Sequence, residues 1–379
     1  MSTEIYFPTG IVTGQAFCNR EKERDYIKRR LEQNTHIVLI SPRRYGKSSL
    51  IAQFTKDQGM PFSSIDLLPA TSGKYVKNAV IDGVTQLLTE IMPGSKKAKQ
   101  KLLACFARMN PAIELSAFGQ KIKLNPDEKT PEETIMKLLM SLDNAAQDMN
   151  RKLIFVMDEF QQIANLEHSH SLEASIRHAV ERSKNVFYVF SGSNRTLLEE
   201  MFKNKNRPLY HLCDEIKLNR IHPDYYKPFI SQAAKTRWEK SISDLSVEKI
   251  LNFTECHPYY VNRLCRMLWD HDNPPSIEDV EETWRVYTDV QRTDWVSDMI
   301  SKLSVNQRAV LAGLAKSPEK EVRGKGFALR LNLSSSSIQR TIEFLISQDL
   351  VFQDDQGFYH VLNPVIKNIL AENKYFEYE

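Results

Sequence analysis

The stretch SPRRYGKSSL, Ser41 to Leu50, lies between an apolar run, HIVLI at 36–40, and the amphipathic stretch SSLIAQF at 48–54. A strand that passes into a helix through such a loop turns backbone N–H groups and the positive end of the helix toward one point, which suits a polyphosphate. Gly46 lets the backbone approach the phosphates in a conformation costly for other residues. Lys47 is placed for the β- and γ-phosphates, and the Ser48 hydroxyl for Mg²⁺. Pro42, Arg43, Arg44, Tyr45 and Ser49 complete the expected nucleotide-binding loop. The two arginines offset phosphate charge, contact a partner subunit or pair with surface acids; the residues alone do not choose. Where the pattern G-x-x-x-x-G-K-S/T opens with glycine, this chain has Ser41. The competing reading is an ordinary strand-turn-helix connection with a solvated lysine.

A second element answers that competitor. RKLIFVMDEFQQI, residues 151–163, is an apolar strand ending in Asp-Glu. Asp158, at the strand's C-terminal end, is placed to hold Mg²⁺ through water, and Glu159 to orient and deprotonate an attacking water. The bland alternative is a strand end followed by a helix cap. VFYVFSGSN, residues 186–194, is a third apolar strand ending in small polar residues. Ser193 or Asn194 there is a candidate to hydrogen-bond the γ-phosphate or the attacking water.

These residues need a sheet beneath them. Short apolar runs at 36–40, 62–67, 153–158 and 186–192 alternate with amphipathic stretches, predicting an α/β fold: a mostly parallel sheet with helices on both faces. A charged helix is expected over Asn19 to Gln33, a helix over 131–149, and a small hairpin over 113–124. The alternation stops after IKLNRIHP, 216–223, and 223 to about 295 reads as helical throughout. From 303 onward three helical stretches precede LVFQDDQGFYHVLNPVI, which reads as a two-stranded wing turning at Asp354–Gly357. That is the outline of a winged helix-turn-helix, with SSSIQRTIEFLISQ as its recognition helix. The expected domains are therefore 1–222, a P-loop core; 223–300, a helical lid; and 301–379, a winged helix.

Composition narrows the classes. Lys and Arg exceed Asp and Glu by 51 to 48, a net charge of +3, which gives no argument for a nucleic-acid partner across the whole surface and leaves such binding to a local patch. Five scattered cysteines form no C-x-x-C pair, so neither a zinc site nor a disulfide framework is expected. The N-terminus lacks a signal-peptide core and no apolar run approaches a membrane span, so a cytoplasmic protein without membrane contact is expected.

The ordered motifs resemble those of the archaeal-type ATPase family, a branch of AAA-like P-loop ATPases related to STAND and origin-recognition ATPases. The resemblance rests on F-C-N-R-E-K-E (17–23), S-P-R-R-Y-G-K-S-S-L, D-E-F-Q (158–161), S-G-S (191–193), P-L-Y (208–210) and H-P-Y-Y (257–260). It implies ATP and Mg²⁺ as ligands, tolerance of Ser41, and a nucleotide-facing role for His257 and Pro258, although a core role for His257 stands equally beside it. Two departures stand out. The family's Gly-Arg after P-L-Y is missing, leaving Arg207 as candidate finger on a neighbour's γ-phosphate, with Arg195 and Arg220 as competitors. The family's G-G-H-P is here Glu255-Cys256-His257-Pro258. The leading expectation is a Mg-dependent ATPase switch whose nucleotide state, ATP or ADP, is coupled to a winged helix that contacts double-stranded DNA or a partner protein, with a homo-oligomer also open. The alternative is a DNA-binding or protein adaptor that holds the nucleotide as a structural ligand with little turnover. Arg323, Lys325, Arg330 and Arg340 favour DNA; the acidic wing favours intramolecular or partner-protein contacts, and the acidic, aromatic tail NKYFEYE reads as a packing strand or a partner peptide.

Overall fold

A computed structural model of the chain describes residues 6–92, 114–118, 121–125, 130–354 and 356–372. The tail NKYFEYE lies outside the described residues. By contact the chain falls into two compact units, Arg20–Arg43 with Lys47–Asn219, and Met1–Asn19 with Arg44–Gly46 and Arg220–Glu379.

The first unit is an α/β layer structure. Its strands are β1 (Ile37–Ile40), β2 (Phe62–Asp66), β3 (Glu114–Phe118), β4 (Lys121–Asn125), β5 (Leu153–Asp158), β6 (Val186–Gly192) and β7 (Asp214–Lys217). Five of them form a parallel sheet in the order β2-β5-β6-β1-β7. Every residue of β1 and β6 is buried, as is all of β5 but Asp158. That burial is why these runs are continuous in Val, Ile, Leu and Phe rather than alternating. β3 and β4 pair antiparallel as the expected hairpin. β7, DEIK, carries too few apolar residues to stand out as a strand before its pairing with β1 is seen.

Helices Lys47–Gln58, Gly73–Glu90, Pro131–Asp148, Ser169–Val180 and Arg195–Lys203 flank the sheet. Pro131–Asp148 packs against both Gly73–Glu90 and Ser169–Val180. It also delivers Asp143, whose Oδ1 accepts from the Ser183 hydroxyl and the backbone N–H groups of Lys184, Asn185 and Val186 at 2.7–3.0 Å. One carboxylate thus satisfies the turn that feeds β6, the central strand, into the sheet.

The second unit is mainly helical, with a two-stranded wing before its final described helix. Helices Pro223–Trp238, Asp244–Thr254, Pro258–Leu268 and Ile277–Gln291 share one continuous hydrophobic cluster with the segment beyond 303. There, helices Val305–Lys316, Lys325–Leu331 and Ser335–Ser347 precede β8 (Val351–Gln353) and β9 (Tyr359–Val361), an antiparallel wing. The expected turn carries Gly357 at φ +89°, its N–H donating to Asp354 O at 3.0 Å. The segment NPVI, read from sequence as an extension of the wing, instead opens a helix, Pro364–Ala371. Asn363 caps it by accepting from Val365 and Ile366 N–H, and Pro364 takes the first position, where no N–H is needed. No helix among the described residues is long and apolar enough to cross a membrane.

Candidate functional site

The phosphate loop leaves β1 at Ile40 and enters the helix Lys47–Gln58. Gly46 takes φ +88°, and a Cβ added there would meet nothing within 4 Å. Glycine is therefore required for conformation rather than space. Lys47 is 7% exposed, and its Nζ donates to the carbonyl oxygens of Ser41 and Pro42 at 3.3 and 3.4 Å. Residue 41 thus serves the lysine through its main chain, which is why serine replaces glycine there without altering the contact.

β6 lies between β1 and β5 in the sheet, so the carboxyl ends of three strands meet beside this loop. Asp158 closes β5. Its Oδ2 accepts from the Ser48 hydroxyl at 3.4 Å, and its Oδ1 from the Ser191 hydroxyl at 2.6 Å and Glu159 N–H at 3.0 Å. Ser48 and Asp158 are hard oxygen donors at neighbouring-ligand spacing. A divalent cation such as Mg²⁺, which takes few protein ligands and completes its shell with water and phosphate, suits that pair. No group of three or more His, Cys, Asp or Glu that could hold a metal ion occurs among the described residues.

Glu159 sits in the left-handed region at φ 51°. Its Oε2 accepts from Gln161 Nε2 at 2.6 Å, from the Ser193 hydroxyl at 2.8 Å and from Ser193 N–H at 3.3 Å. Burial pushes this carboxyl up, but the bonds from Gln161 and Ser193 and the charge of Lys47 outweigh it and hold the group below the usual carboxylate range. Glu159 is therefore an ionised acceptor, the state a general base needs. Ser193 also receives the Arg43 guanidinium, Nε to Oγ at 3.3 Å. Asn194 caps the helix Arg195–Lys203, its Oδ1 accepting from Leu197 N–H at 3.1 Å. The sensor role considered for Asn194 thus competes with a structural one that already uses its oxygen.

The candidate finger Arg207 has a different engagement. Its side chain is 10% exposed and ion-paired with Glu173, which is 0% exposed. Even beside that guanidinium, burial pushes the Glu173 carboxyl up to about 7. An arginine so held reaches a neighbouring subunit only after breaking a buried pair.

Arg44 and Tyr45 group with the second unit. The Arg44 guanidinium lies 4.3 Å from the Tyr259 ring centroid. The Tyr45 ring meets His257 edge to face at 4.7 Å. His257 is 4% exposed and caps the helix Pro258–Leu268 through Nδ1, which accepts from Tyr259 N–H at 3.3 Å. Burial, then the charges of Arg220 and Arg44, push its pKa well below the usual value, so it is neutral. Pro258 is the first residue of that helix.

Sequence reasoning named Arg220 only as a finger competitor. The structure makes it a hub: its guanidinium donates to the Tyr45 hydroxyl at 3.4 Å, Glu255 Oε2 at 2.6 Å and Leu362 O at 2.8 Å, and lies 5.3 Å from the Phe352 ring. Glu255 pairs in turn with Lys367. Glu255 and Cys256 both adopt positive φ, 47° and 56°. Where the resembled pattern has two glycines, this chain thus has two left-handed residues that are not glycine, and it uses the Glu255 side chain in the ion pairs. Gln161, equally missed, carried no sequence signal beyond its place in D-E-F-Q.

Residues 17–264 match the family model described as an ATPase domain predominantly from Archaea. Residues 295–372 match one described as a probable winged helix domain. Among solved structures, a Walker-type ATPase of Pyrococcus abyssi is similar at 16% identity and a TM-score of 0.68, covering 97% of this chain and 99% of that one. The ORC2 protein of Aeropyrum pernix, in ADPNP–ADP complexes, is similar at 12% identity and a TM-score of 0.54, covering 97% and 95%. No curated protein matches the sequence. With the family model spanning well over half its length, the chain belongs to the family of P-loop ATPase domains found predominantly in Archaea, and carries a winged helix behind that domain.

Proposed function

We propose that this AAA-like ATPase hydrolyses ATP in a Mg²⁺-dependent way and uses its nucleotide state to control its winged helix. The observation that carries the reading is the meeting of Ser48 with Asp158 at 3.4 Å, with Glu159 next in the chain and ionised. In this reading, residues 42–49 hold the triphosphate, Lys47 balances the charge of its β- and γ-groups, and Ser48 and Asp158 hold Mg²⁺. The cation, when bound, neutralises charge on the transferring phosphoryl group. Glu159 takes the proton of the attacking water. The domain division 1–222, 223–300 and 301–379 belongs to the same proposal, as does a cytoplasmic setting in keeping with the free cysteines.

Coupling is supported by the chain Tyr45–Arg220–Glu255–Lys367, which runs from the phosphate loop to the last helix. Duplex DNA is the partner that the exposed cations Arg323, Lys325 and Arg340 suit; Arg330 is paired with Glu319 at 2.6 Å. The test is ATP binding and phosphate release with and without Mg²⁺ and duplex DNA. Glu159→Gln retains binding and loses turnover, while Lys47→Ala loses binding. Unchanged turnover in the first variant refutes the base, and unchanged affinity in the second refutes the site. Tightly copurifying nucleotide without phosphate release favours a nucleotide-stabilised adaptor instead. Absence of salt-dependent duplex binding moves the winged helix to a protein partner.

A further inference from the structure

Glu159 follows a strand end and takes a left-handed backbone, after which the 3-10 turn Phe160–Asn165 folds the chain back on itself. That turn returns the side chain of Gln161 to the carboxylate two residues earlier, 2.6 Å from Oε2. Gln161 is 2% exposed, and its own Oε1 is buried without a hydrogen-bond partner. Turning the amide over would set that oxygen against the carboxylate, so the orientation with the donor on Glu159 is the one electrostatics requires. A buried amide oxygen left unpaired is a cost that packing alone does not call for, since an apolar side chain of the same shape would avoid it.

The neighbouring strand makes room for this arrangement. A Cβ at Gly192 would lie 1.9 Å from Gln161 Oε1, so the glycine of S-G-S is needed for the close approach of this amide. Ser193 follows immediately and gives Glu159 Oε2 its other two bonds. All three bonds fall on one oxygen. Ser193 Oγ meanwhile accepts from Arg43 in the phosphate loop.

We propose that Gln161, together with Ser193, is a positioning residue for the hydrolytic carboxylate: the two fix Oε2 of Glu159 and leave Oε1 to receive the proton of the attacking water, while Arg43 ties the arrangement to the phosphate loop through Ser193. In the step so served, the water oxygen bonds to the γ-phosphorus as the bond from that phosphorus to the β,γ-bridging oxygen breaks. ADP leaves with the electron pair, and the water proton passes to Oε1 and from there to solvent. Arg43, whose role the sequence left open, thereby senses the loop and reports to the base rather than only balancing phosphate charge. This inference rests on the hydrolytic reading above.

The experiment compares wild type, Gln161→Met, Glu159→Gln and the double variant for ATP affinity, single-turnover hydrolysis and melting temperature. Gln161→Met keeps the volume beside Gly192 and removes the donor. The expected result is a fall in kcat of about 10- to 100-fold, the worth of a hydrogen bond to a charged group, with ATP affinity within about twofold of wild type. With the base already gone, the second substitution adds nothing: the double variant is as slow as Glu159→Gln and no slower. Should Gln161→Met lower the melting temperature, Gln161→Leu, which likewise has no donor, carries the same expectation. A kcat within about twofold of wild type, a loss shared equally by affinity, or additive losses in the double variant overturns the proposal. Wild type without turnover sinks the hydrolytic reading and this one with it. Wild type that turns over while Gln161→Met keeps pace sinks only this one.

Discussion

Glu255 sets a strained backbone against a pair of charges, and Glu255→Gly separates the two. At φ 47° its backbone costs about 1 kcal/mol that glycine would not incur. Its carboxylate, however, pairs with Arg220 at 2.6 Å and with Lys367, and the three side chains are 18–29% exposed. Removing one partner of a fully buried pair costs about 3–5 kcal/mol. Here Arg220 keeps the Leu362 and Glu255 carbonyls at 2.8 and 3.3 Å, and Lys367 reaches water, so about 2–3 kcal/mol is the appropriate share. The charges win. Glu255→Gly is expected to be less stable by about 1–2 kcal/mol, and Glu255→Ala, which keeps the strain and loses the pairs, by about 1 kcal/mol more. Urea unfolding of the full chain at pH 7 reads both differences.

The pH dependence supplies a second check. Burial pushes the Glu255 carboxyl up, but Arg220 and Lys367 outweigh it, and the group sits below its ordinary value of 4.5. A carboxylate whose folded pKa is depressed contributes stability above its unfolded value and loses it as pH falls through the folded one. The gap between wild type and Glu255→Gly should therefore be constant near neutrality and narrow below pH 4.5. A variant as stable as wild type at pH 7, or a gap that persists in acid, refutes the reasoning and makes strain the larger effect.

Gly46→Ala meets no atom within 4 Å, so its whole cost is the conformation at φ +88°; ATP affinity should fall about tenfold or more with little change in melting temperature, and unchanged affinity would show that the loop tolerates the strain. Arg207→Ala leaves Glu173, 0% exposed, without its partner; because that carboxyl takes up a proton rather than staying charged, the cost should be about 1–3 kcal/mol, the penalty of an unsatisfied buried polar group. A finger acting on a neighbouring subunit would instead leave stability untouched and lower turnover in a concentration-dependent way. Because burial raises the Glu173 carboxyl from 4.5 to about 7, the folded chain holds a proton that the unfolded chain has released, so stability should fall as pH rises across that window, as pH-dependent urea midpoints would show.

Much of the ATPase unit was legible because its signals are local. Runs such as LIFVMD and VFYVFSG are unbroken for strands buried on both faces, and each polar residue that follows marks a carboxyl end. The wing was legible too, from turn residues between short apolar runs. The final helix was not. NPVI reads as the end of the wing until Asn363 is seen capping two N–H groups. Residues 223–300 and 301–379 look separate in pattern, and that their apolar faces share one cluster was not legible, because pattern shows that a face is buried and not what buries it.

The residue types that the proposed phosphate chemistry needs were set by the sequence alone. Gly46, Lys47, Ser48, Asp158 and Glu159 are fixed by requirements at single positions: a positive φ, a long cation, a small hydroxyl and two carboxylates at a strand's end. What those residues are held by was decided only by tertiary structure. Arg43 on Ser193, Arg207 in its buried pair with Glu173, and Arg220 joining Tyr45 to Glu255 and the Leu362 carbonyl are contacts that no spacing rule brings together. The physical reason is range. Backbone conformation and the need of a strand or loop for one kind of residue act over a few positions, whereas a charge or an amide finds its partner only after distant segments have been packed to a few ångströms.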